Sequence, residues 1–489
     1  MELIRLKNIL FLPLLFFLIT LSIYISYKFK INFIIFLVFS LICNFYLLSS
    51  LRKQSSFFHF FLAIYIWLGF YFKFIINLLF NIDGSWGETG SLVNSQLFYN
   101  DTLLVSIFGI TGFFLAHLFQ LIKYNLYLNI KFDFNNHSKI SKFRDLIFFK
   151  KKKIFIFLFF LSIVIFFINI KFRIYEKGIV QNSDSDIINY WRNIIKWLLF
   201  FGLTSFSCYF LYFLLLKKKI YNFAIIIIIF ENFLSNLSMM SRGMFINVLA
   251  VFYGIYKMNK YYKLNFKNKK VFIVIFIAII LFITSIVLVN KMRFKNYYLL
   301  DDEKLKITST IIHNDTVLKE PSLNNFRHIY HLVLLRFVGF DSLLALVQNK
   351  EKLSYDFLIE ALKFRESISY VPYFSKIQGE TLENMKGTNS KSYFIKTPGI
   401  ISFLYYSGSA FFLTISTLLI GVIFIFFEKL VFNFLNSNYI VVSLISNLIA
   451  YRLIHFGYDP KSTIKYFLLI IFNILFLKLI TNIYDKVRK

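Results

Sequence analysis

Residues 271–290 read VFIVIFIAIILFITSIVLVN, a run that contains no charged side chain. A helix rises about 1.5 Å per residue, so such a run can cross the roughly 30 Å hydrocarbon core of a bilayer. Only a helix or a closed barrel satisfies every backbone polar group there. We therefore predict an all-α, polytopic integral membrane protein with about 12 transmembrane helices, in apolar blocks at 8–27, 31–51, 57–80, 101–122, 154–171, 194–216, 220–237, 243–259, 271–290, 401–427, 438–457 and 463–484.

The composition excludes an ordinary soluble protein. Of 489 residues, 58% are hydrophobic and 16% are charged, whereas soluble domains average roughly 45–50% and about 25%. Both cysteines, Cys43 and Cys208, fall inside apolar blocks, which argues against a disulfide framework or a cysteine-based metal centre.

The net charge of +30 is best explained by membrane topology. Nine Lys and Arg residues lie between Lys123 and Lys153, and none lies between Phe80 and Asp101. Basic residues are enriched in cytoplasmic loops, so the pattern predicts a multi-pass protein with both termini cytoplasmic; the resemblance given below implies that its membrane is the bacterial cytoplasmic (inner) membrane. It gives no reason to expect a nucleic-acid partner.

One long loop divides the chain into three predicted regions: an N-terminal bundle of about nine spans at 1–290, an extracytoplasmic loop at 291–396, and about three C-terminal spans at 397–489. Helical periodicity appears in the loop at 326–349 and 354–366. Within it, residues 329–347 carry Arg336 and Asp341, each costing about 2.5–3.5 kcal/mol at mid-bilayer. We therefore expect an amphipathic helix at the outer membrane face or packed into the mouth of the bundle, not a thirteenth span.

Ionisable residues in apolar surroundings are functional candidates because their burial is costly. Arg242, in the turn after the seventh block, could bind phosphate or serve only as an interfacial anchor. Glu231, upstream of it, could be its partner, a proton acceptor or a structural carboxylate hydrogen-bonded between helices.

Three further places carry candidate charges. Arg336 could bind phosphate and Asp341 could act on a sugar hydroxyl as base or acceptor, or both could form the charged face of a packed helix. Arg452 and His455 share a helix face at the external end of the eleventh block. Arg293 extends an external cationic rim after the ninth block.

The sequence provides no motif for a cofactor or a metal. It contains neither GxxxxGK[ST] nor a GxGxxG after a strand, and no HExxH. We expect a metal-independent chemistry without cofactors, in which several arginines hold an anionic group at the external face.

Three stretches carry a family resemblance: MMSRGMF at 239–245, LLRFVGFDSLLAL at 334–346 and KTPGIISFLYYSGSAFFLTISTLLIG at 396–421. Together with the predicted topology, they make the chain similar to the Wzy-type O-antigen and oligosaccharide repeat-unit polymerases. The resemblance implies a glycosyltransferase acting on undecaprenyl-pyrophosphate-linked oligosaccharides in lipopolysaccharide or capsular polysaccharide synthesis. Arg242 and Arg336 would hold the leaving pyrophosphate. We assign the proton acceptor to Asp341, with His455 as second choice.

Two other functions are compatible with the same pathways. A polysaccharide flippase also has about twelve spans, but it has short loops, so the hundred-residue loop favours the polymerase. An O-antigen ligase shares the architecture and the lipid substrate, and the sequence does not separate it from a polymerase. A flippase and a chain-length regulator are the expected protein partners.

The topology can be tested with a reporter enzyme fused near Gly387, in the predicted extracytoplasmic loop. We expect an alkaline phosphatase fusion to be active there, because that enzyme folds only outside the cytoplasm. A cytoplasmic reporter at the same position should be inactive. Activity of the cytoplasmic reporter alone would reverse the predicted orientation.

Overall fold

The computed structural model describes residues 2–79, 95–123, 138–172, 174–175, 186–216, 222–241, 246–262, 268–298, 337–364, 373–377, 397–457 and 460–487. Over these ranges all regular secondary structure is helical. The prediction of an all-α, polytopic membrane protein is confirmed. The division into three regions remains a prediction.

A helix occupies each of the twelve predicted blocks. Eight of these helices are long and apolar enough to cross a membrane, and Leu15–Phe29, Asn222–Ser238 and Tyr439–Ile454 are apolar but shorter. The first nine helices are α1 Glu2–Phe29, α2 Phe33–Ser50, α3 Phe57–Leu79, α4 Tyr99–Lys123, α5 Ser138–Phe172, α6 186–215, α7 Asn222–Ser238, α8 Ile246–Tyr262 and α9 Asn268–Tyr298.

Seven helices are described after the ninth. Four are short and lie within or just after the long loop, and three are long. They are α10 Phe340–Val347, α11 Tyr355–Lys363, α12 Tyr373–Ile377, α13 Ile400–Leu404, α14 Ala410–Phe434, α15 Tyr439–Ile454 and α16 Pro460–Val487. We call the end of the bundle where α10 to α13 gather the loop end.

The tenth predicted block, 401–427, begins too early. Its first residues form α13 and a short 3-10 turn, and the long helix α14 starts only at Ala410. Gly408 has a left-handed backbone with φ of 71°, which ends the turn. The Ser409 side chain then caps α14 by accepting a hydrogen bond from the Phe412 amide at 3.2 Å.

The predicted amphipathic helix at 329–347 is described only from Phe337 onward. Helix α10 starts after Gly339, and all eight of its residues are buried. Of the two placements expected for it, this part is packed into the bundle, not spread on the membrane face. The second periodic stretch, 354–366, contains α11, whose N-terminus is capped by Ser354.

Helix α15 lies at the centre of the bundle and packs against α3, α8 and the second half of α6. All of its residues are buried except Tyr451 and Arg452, near its loop end. Close approach to α8 depends on Gly254, where a Cβ would lie 2.9 Å from the Ile440 Cα. Small residues at helix crossings are typical of membrane bundles.

Helix α3 is held at the opposite end of the bundle by a buried carboxylate from α14. Glu428 accepts hydrogen bonds from the amides of Phe57 at 2.9 Å and Phe58 at 2.7 Å. The Ser446 hydroxyl of α15 also donates to it, at 3.0 Å. These amides have no intrahelical acceptor, so one side chain joins three helices and stabilises the start of α3.

Candidate functional site

The docked segment, which we define as residues 337–347, enters the loop end against helix α3. Its backbone touches that of α3 at two glycines. A Cβ on Gly69 would lie 2.5 Å from the Val338 carbonyl oxygen, and one on Gly339 would lie 2.4 Å from the Gly69 oxygen. Gly69 lies in a π-helical turn, Trp67–Phe72, a feature that is frequent at functional sites.

A buried ion pair fastens the docked segment. Lys73 of α3 lies directly after the π-helical turn, and its Nζ is 2.6 Å from Asp341 Oδ2. The same ammonium donates to the Phe337 carbonyl oxygen at 3.2 Å. The two side chains are 3% and 5% exposed, so the pair is shielded from solvent.

The predicted base Asp341 is therefore deeply placed. One carboxylate oxygen is engaged by Lys73, and the other, Oδ1, is buried and has no hydrogen-bond partner within the described ranges. Its role as a proton acceptor from a sugar remains a prediction. Its observed contacts are those of a side chain that anchors the docked segment.

Hydrogen bonds tie the two ends of the long loop together. The Ser342 hydroxyl donates to the Pro398 carbonyl at 2.7 Å, or alternatively to that of Gly339 at 2.8 Å. The Gly399 amide donates to the Phe456 carbonyl at 2.9 Å, which joins the returning loop to the end of α15. Gly399 has φ of 82°, and a Cβ there would lie 2.9 Å from the Ile454 carbonyl.

Arg452 lies at this junction, half-buried near the end of α15. Its Nη2 donates to the Ser462 hydroxyl at 3.1 Å, and its Cζ lies 5.6 Å from the Tyr466 ring centroid. Its Nε is buried and has no hydrogen-bond partner in the part of the chain that the structure describes. A half-buried guanidinium on an aromatic face retains donors for an anionic ligand.

A second cation, Lys196 of α6, lies along the same aromatic wall. Its Nζ is 5.2 Å from the Tyr175 ring centroid and 5.9 Å from that of Phe200. The Phe200 and Tyr466 rings are 5.9 Å apart, and Tyr466 is the ring beneath Arg452. Two cations from different helices thus border one aromatic cluster.

His455, at the end of α15, is connected to the docked segment through a series of aromatic contacts. Its ring centroid is 4.3 Å from that of Tyr451, which contacts Tyr65 at 5.9 Å. Tyr65 in turn stacks on Phe337 at 6.4 Å and donates to Asn447. His455 Nδ1 lies 3.0 Å from the Tyr451 carbonyl oxygen. Because a carbonyl can only accept, Nδ1 is the donor in that bond.

Glu231 lies in a separate network between α6 and α7. Its Oε2 accepts from Thr204 at 2.8 Å and from Asn232 at 3.0 Å, and its Oε1 accepts from Ser235 at 3.1 Å. None of these residues belongs to the loop-end contacts described above. The observed contacts match the structural alternative, a carboxylate hydrogen-bonded between helices.

The remaining predicted residues can be placed only in part. Arg242 and Arg336 lie outside the described residues. Arg293 falls within helix α9, and nothing more can be said of its side chain. Among the residues with described positions, no three His, Cys, Asp or Glu side chains form a group able to hold a metal ion. That the site works without a metal stays a prediction from sequence.

Sequence reasoning missed two of the site's cations, Lys73 and Lys196. Lys73 interrupts the apolar run WLGFYFKFIINLLF, and a lysine at that depth is itself a signal of function. Lys196 has a weaker signal, since it starts an apolar block and reads as an interfacial residue.

Comparison with known protein families, with curated proteins and with solved structures finds no match to this chain. The site must therefore be interpreted from its own chemistry.

The separation of Glu231 from the loop end is testable with Glu231→Gln. We expect the free energy of unfolding in detergent to fall by about 1 kcal/mol, because the amide is a weaker acceptor than a carboxylate. The surface polysaccharide made by cells carrying the variant should be unchanged. A variant that is fully stable but changes the polysaccharide would return Glu231 to the catalytic candidates.

Proposed function

We propose that this protein is a glycosyltransferase that polymerises undecaprenyl-pyrophosphate-linked oligosaccharide repeat units into O-antigen or capsular polysaccharide at the outer face of the bacterial cytoplasmic membrane. The observation that carries the proposal is Arg452. This half-buried guanidinium is on one of the two positions of α15 that are not buried, where both ends of the long loop dock.

A diphosphate that leaves a sugar needs its developing negative charge stabilised. Arg452 and Lys196 border one aromatic cluster at the loop end, and sequence adds Arg242, Arg336 and Arg293 as predicted members of the same cationic rim. Guanidinium groups bind phosphate oxygens through paired hydrogen bonds. Preorganised donors of this kind stabilise the charge that develops in the transition state.

The bond changes follow from the substrates. A hydroxyl oxygen on the non-reducing sugar of one lipid-linked repeat attacks the anomeric carbon of the growing chain. The bond from that carbon to the pyrophosphate oxygen breaks, and the electron pair leaves with the diphosphate on its lipid. The hydroxyl proton passes to a general base.

We now assign that base to His455 and give Asp341 a positioning role. With Nδ1 donating to the Tyr451 carbonyl, a neutral His455 carries its lone pair on Nε2, the atom that would accept the proton. His455 is also half-buried, whereas Asp341 is buried and paired with Lys73. A sugar hydroxyl reaches a half-buried side chain more readily than a shielded one.

The membrane supplies the rest of the recognition. The lipid tail requires apolar surface beside the site, and large side chains on α14 and α16 face outward from the bundle, including Phe411 and Leu468. The expected partners are the lipid-linked oligosaccharide, membrane lipid, a flippase that delivers the repeat and a chain-length regulator.

Deletion of the gene followed by analysis of surface polysaccharide tests this function against its two rivals. A polymerase deletion leaves single repeats on the surface. Loss of all surface repeats with internal accumulation indicates a flippase. Full-length polymer that is not attached to its acceptor indicates a ligase, and either of the last two outcomes refutes the proposal.

The cationic rim is tested by replacing Arg242, Arg336 and Arg452 singly with alanine. We expect each change to lower polymer synthesis about 100-fold, the typical cost of removing one donor to a developing charge. Lysine should rescue poorly because it lacks the planar fork. Arg52→Ala, at an exposed position of the opposite end, is the matched control. Chain-length ladders equal to wild type in all three variants, at equal protein levels, would contradict this role.

A further inference from the structure

We propose that Lys73 is a positioning residue. Its contacts, which we call the latch, hold the docked segment in the loop end and so fix the position of Phe337, the residue directly after Arg336. This inference rests on the proposed function for its effect on polymer synthesis. The latch itself is a property of the fold and can be measured without any activity.

Lys73 holds the docked segment on both sides of Gly339. Its ammonium binds the Phe337 carbonyl, two residues before the glycine, and the Asp341 carboxylate, two residues after it. Two bonds from one fixed atom restrain both the depth and the rotation of the segment. Phe337 directly follows Arg336, and consecutive Cα atoms are only about 3.8 Å apart, so a shift of Phe337 displaces the arginine.

The direction in which the Lys73 side chain leaves helix α3 depends on the π-helical turn before it. Such a turn adds one residue to a helix, which rotates every later side chain by about 100° relative to an uninterrupted helix. The same turn places Gly69 where the Gly339 backbone touches it. The π-helical turn thus provides both the surface for the docked segment and the orientation of the cation that holds it.

The apolar contacts around the ion pair stabilise the docked segment but do little to fix its orientation. Phe74 and Phe340 have ring centroids 4.1 Å apart, and the glycine contact has no side chain that could interlock. A buried ion pair is rarely the most stabilising choice for such a site. Its geometric demand is strict, however, because two charges shielded from water must meet directly.

Asp341 Oδ1 is consistent with this role. It is buried without a hydrogen-bond partner among the described residues, so the carboxylate depends on Lys73 for its compensation. Removing the ammonium leaves an unpaired buried charge, which favours exposure of the whole segment to solvent. We therefore expect loss of Lys73 to release the docked segment.

Release can be measured with a cysteine at Val347, a buried position at the end of the docked segment. Cys43 and Cys208 are both buried, so the background labelling of full-length protein in detergent should be low. We expect Val347→Cys to react slowly with a polar maleimide. Adding Lys73→Met should speed the reaction at least tenfold, and Asp341→Asn should act in the same direction.

The matched control is another lysine–aspartate pair at the loop end. Lys350 Nζ lies 3.7 Å from Asp101 Oδ2, and these side chains are 65% and 59% exposed. Lys350→Met should leave the labelling of Val347→Cys unchanged. Labelling as slow in Lys73→Met as in the control would overturn the latch.

A double variant separates positioning from stability. Lys73→Met with Asp341→Asn removes both charges, so we expect its thermal unfolding temperature to exceed that of Lys73→Met alone. Labelling should be slower than in Lys73→Met alone, because no unpaired charge is left. The bond to the Phe337 carbonyl is still missing, however, so polymer synthesis should stay about 100-fold low. Polymer synthesis that recovers together with stability would show that Lys73 only stabilises the fold and would overturn the proposal.

These results are independent of the test of function. A deletion phenotype of a flippase or a ligase, combined with fast labelling of Lys73→Met, would refute the proposed function and leave the latch standing. A polymerase phenotype with slow labelling would refute the latch alone.

Discussion

The bilayer offers no water to a charged side chain, and this constraint accounts for the contacts of the charged side chains that are buried inside the bundle. Each buried charge described above must find its partners within the protein. Glu428 takes three donors at the start of α3, and Glu231 takes three donors between α6 and α7. Lys73 and Asp341 compensate one another across the docked segment.

These charges hold helix α3 near both of its ends. Glu428 holds its first amides, and Lys73 holds the docked segment near its other end. Between them, Tyr65 joins α3 to α15 through Asn447. Helix α15 ends in Tyr451, Arg452 and His455, so the loop-end site is built on two helices that are held at several points along their length. A site that must orient a phosphate within a fraction of an ångström benefits from such rigid support.

The cations of the loop end support our proposal of a diphosphate ligand. Cations from α6 and α15 lie on one aromatic cluster, and His455, whose Nδ1 lies 3.0 Å from a backbone carbonyl oxygen, lies at the end of α15. The polymerase remains our proposal, since it joins this cationic cluster with a family resemblance in sequence. The extended loop distinguishes it from the flippase alternative.

The sequence by itself determined the fold class, because hydropathy is a local property and each span must be apolar along its own length. It also selected Arg452, His455, Asp341 and Glu231, since charges in apolar blocks stand out one by one. Their partners were decided only by the tertiary structure. Lys73 and Asp341 are 268 residues apart in sequence, and no local pattern indicates which of two distant charges will meet. The start of α14 also depended on conformation, because Gly408 and Ser409 end one segment and begin the next inside a block that the sequence predicts as one span. Two distant charges pair because the surrounding helices exclude water from both of them. Such a pair can therefore be identified only from the packed structure.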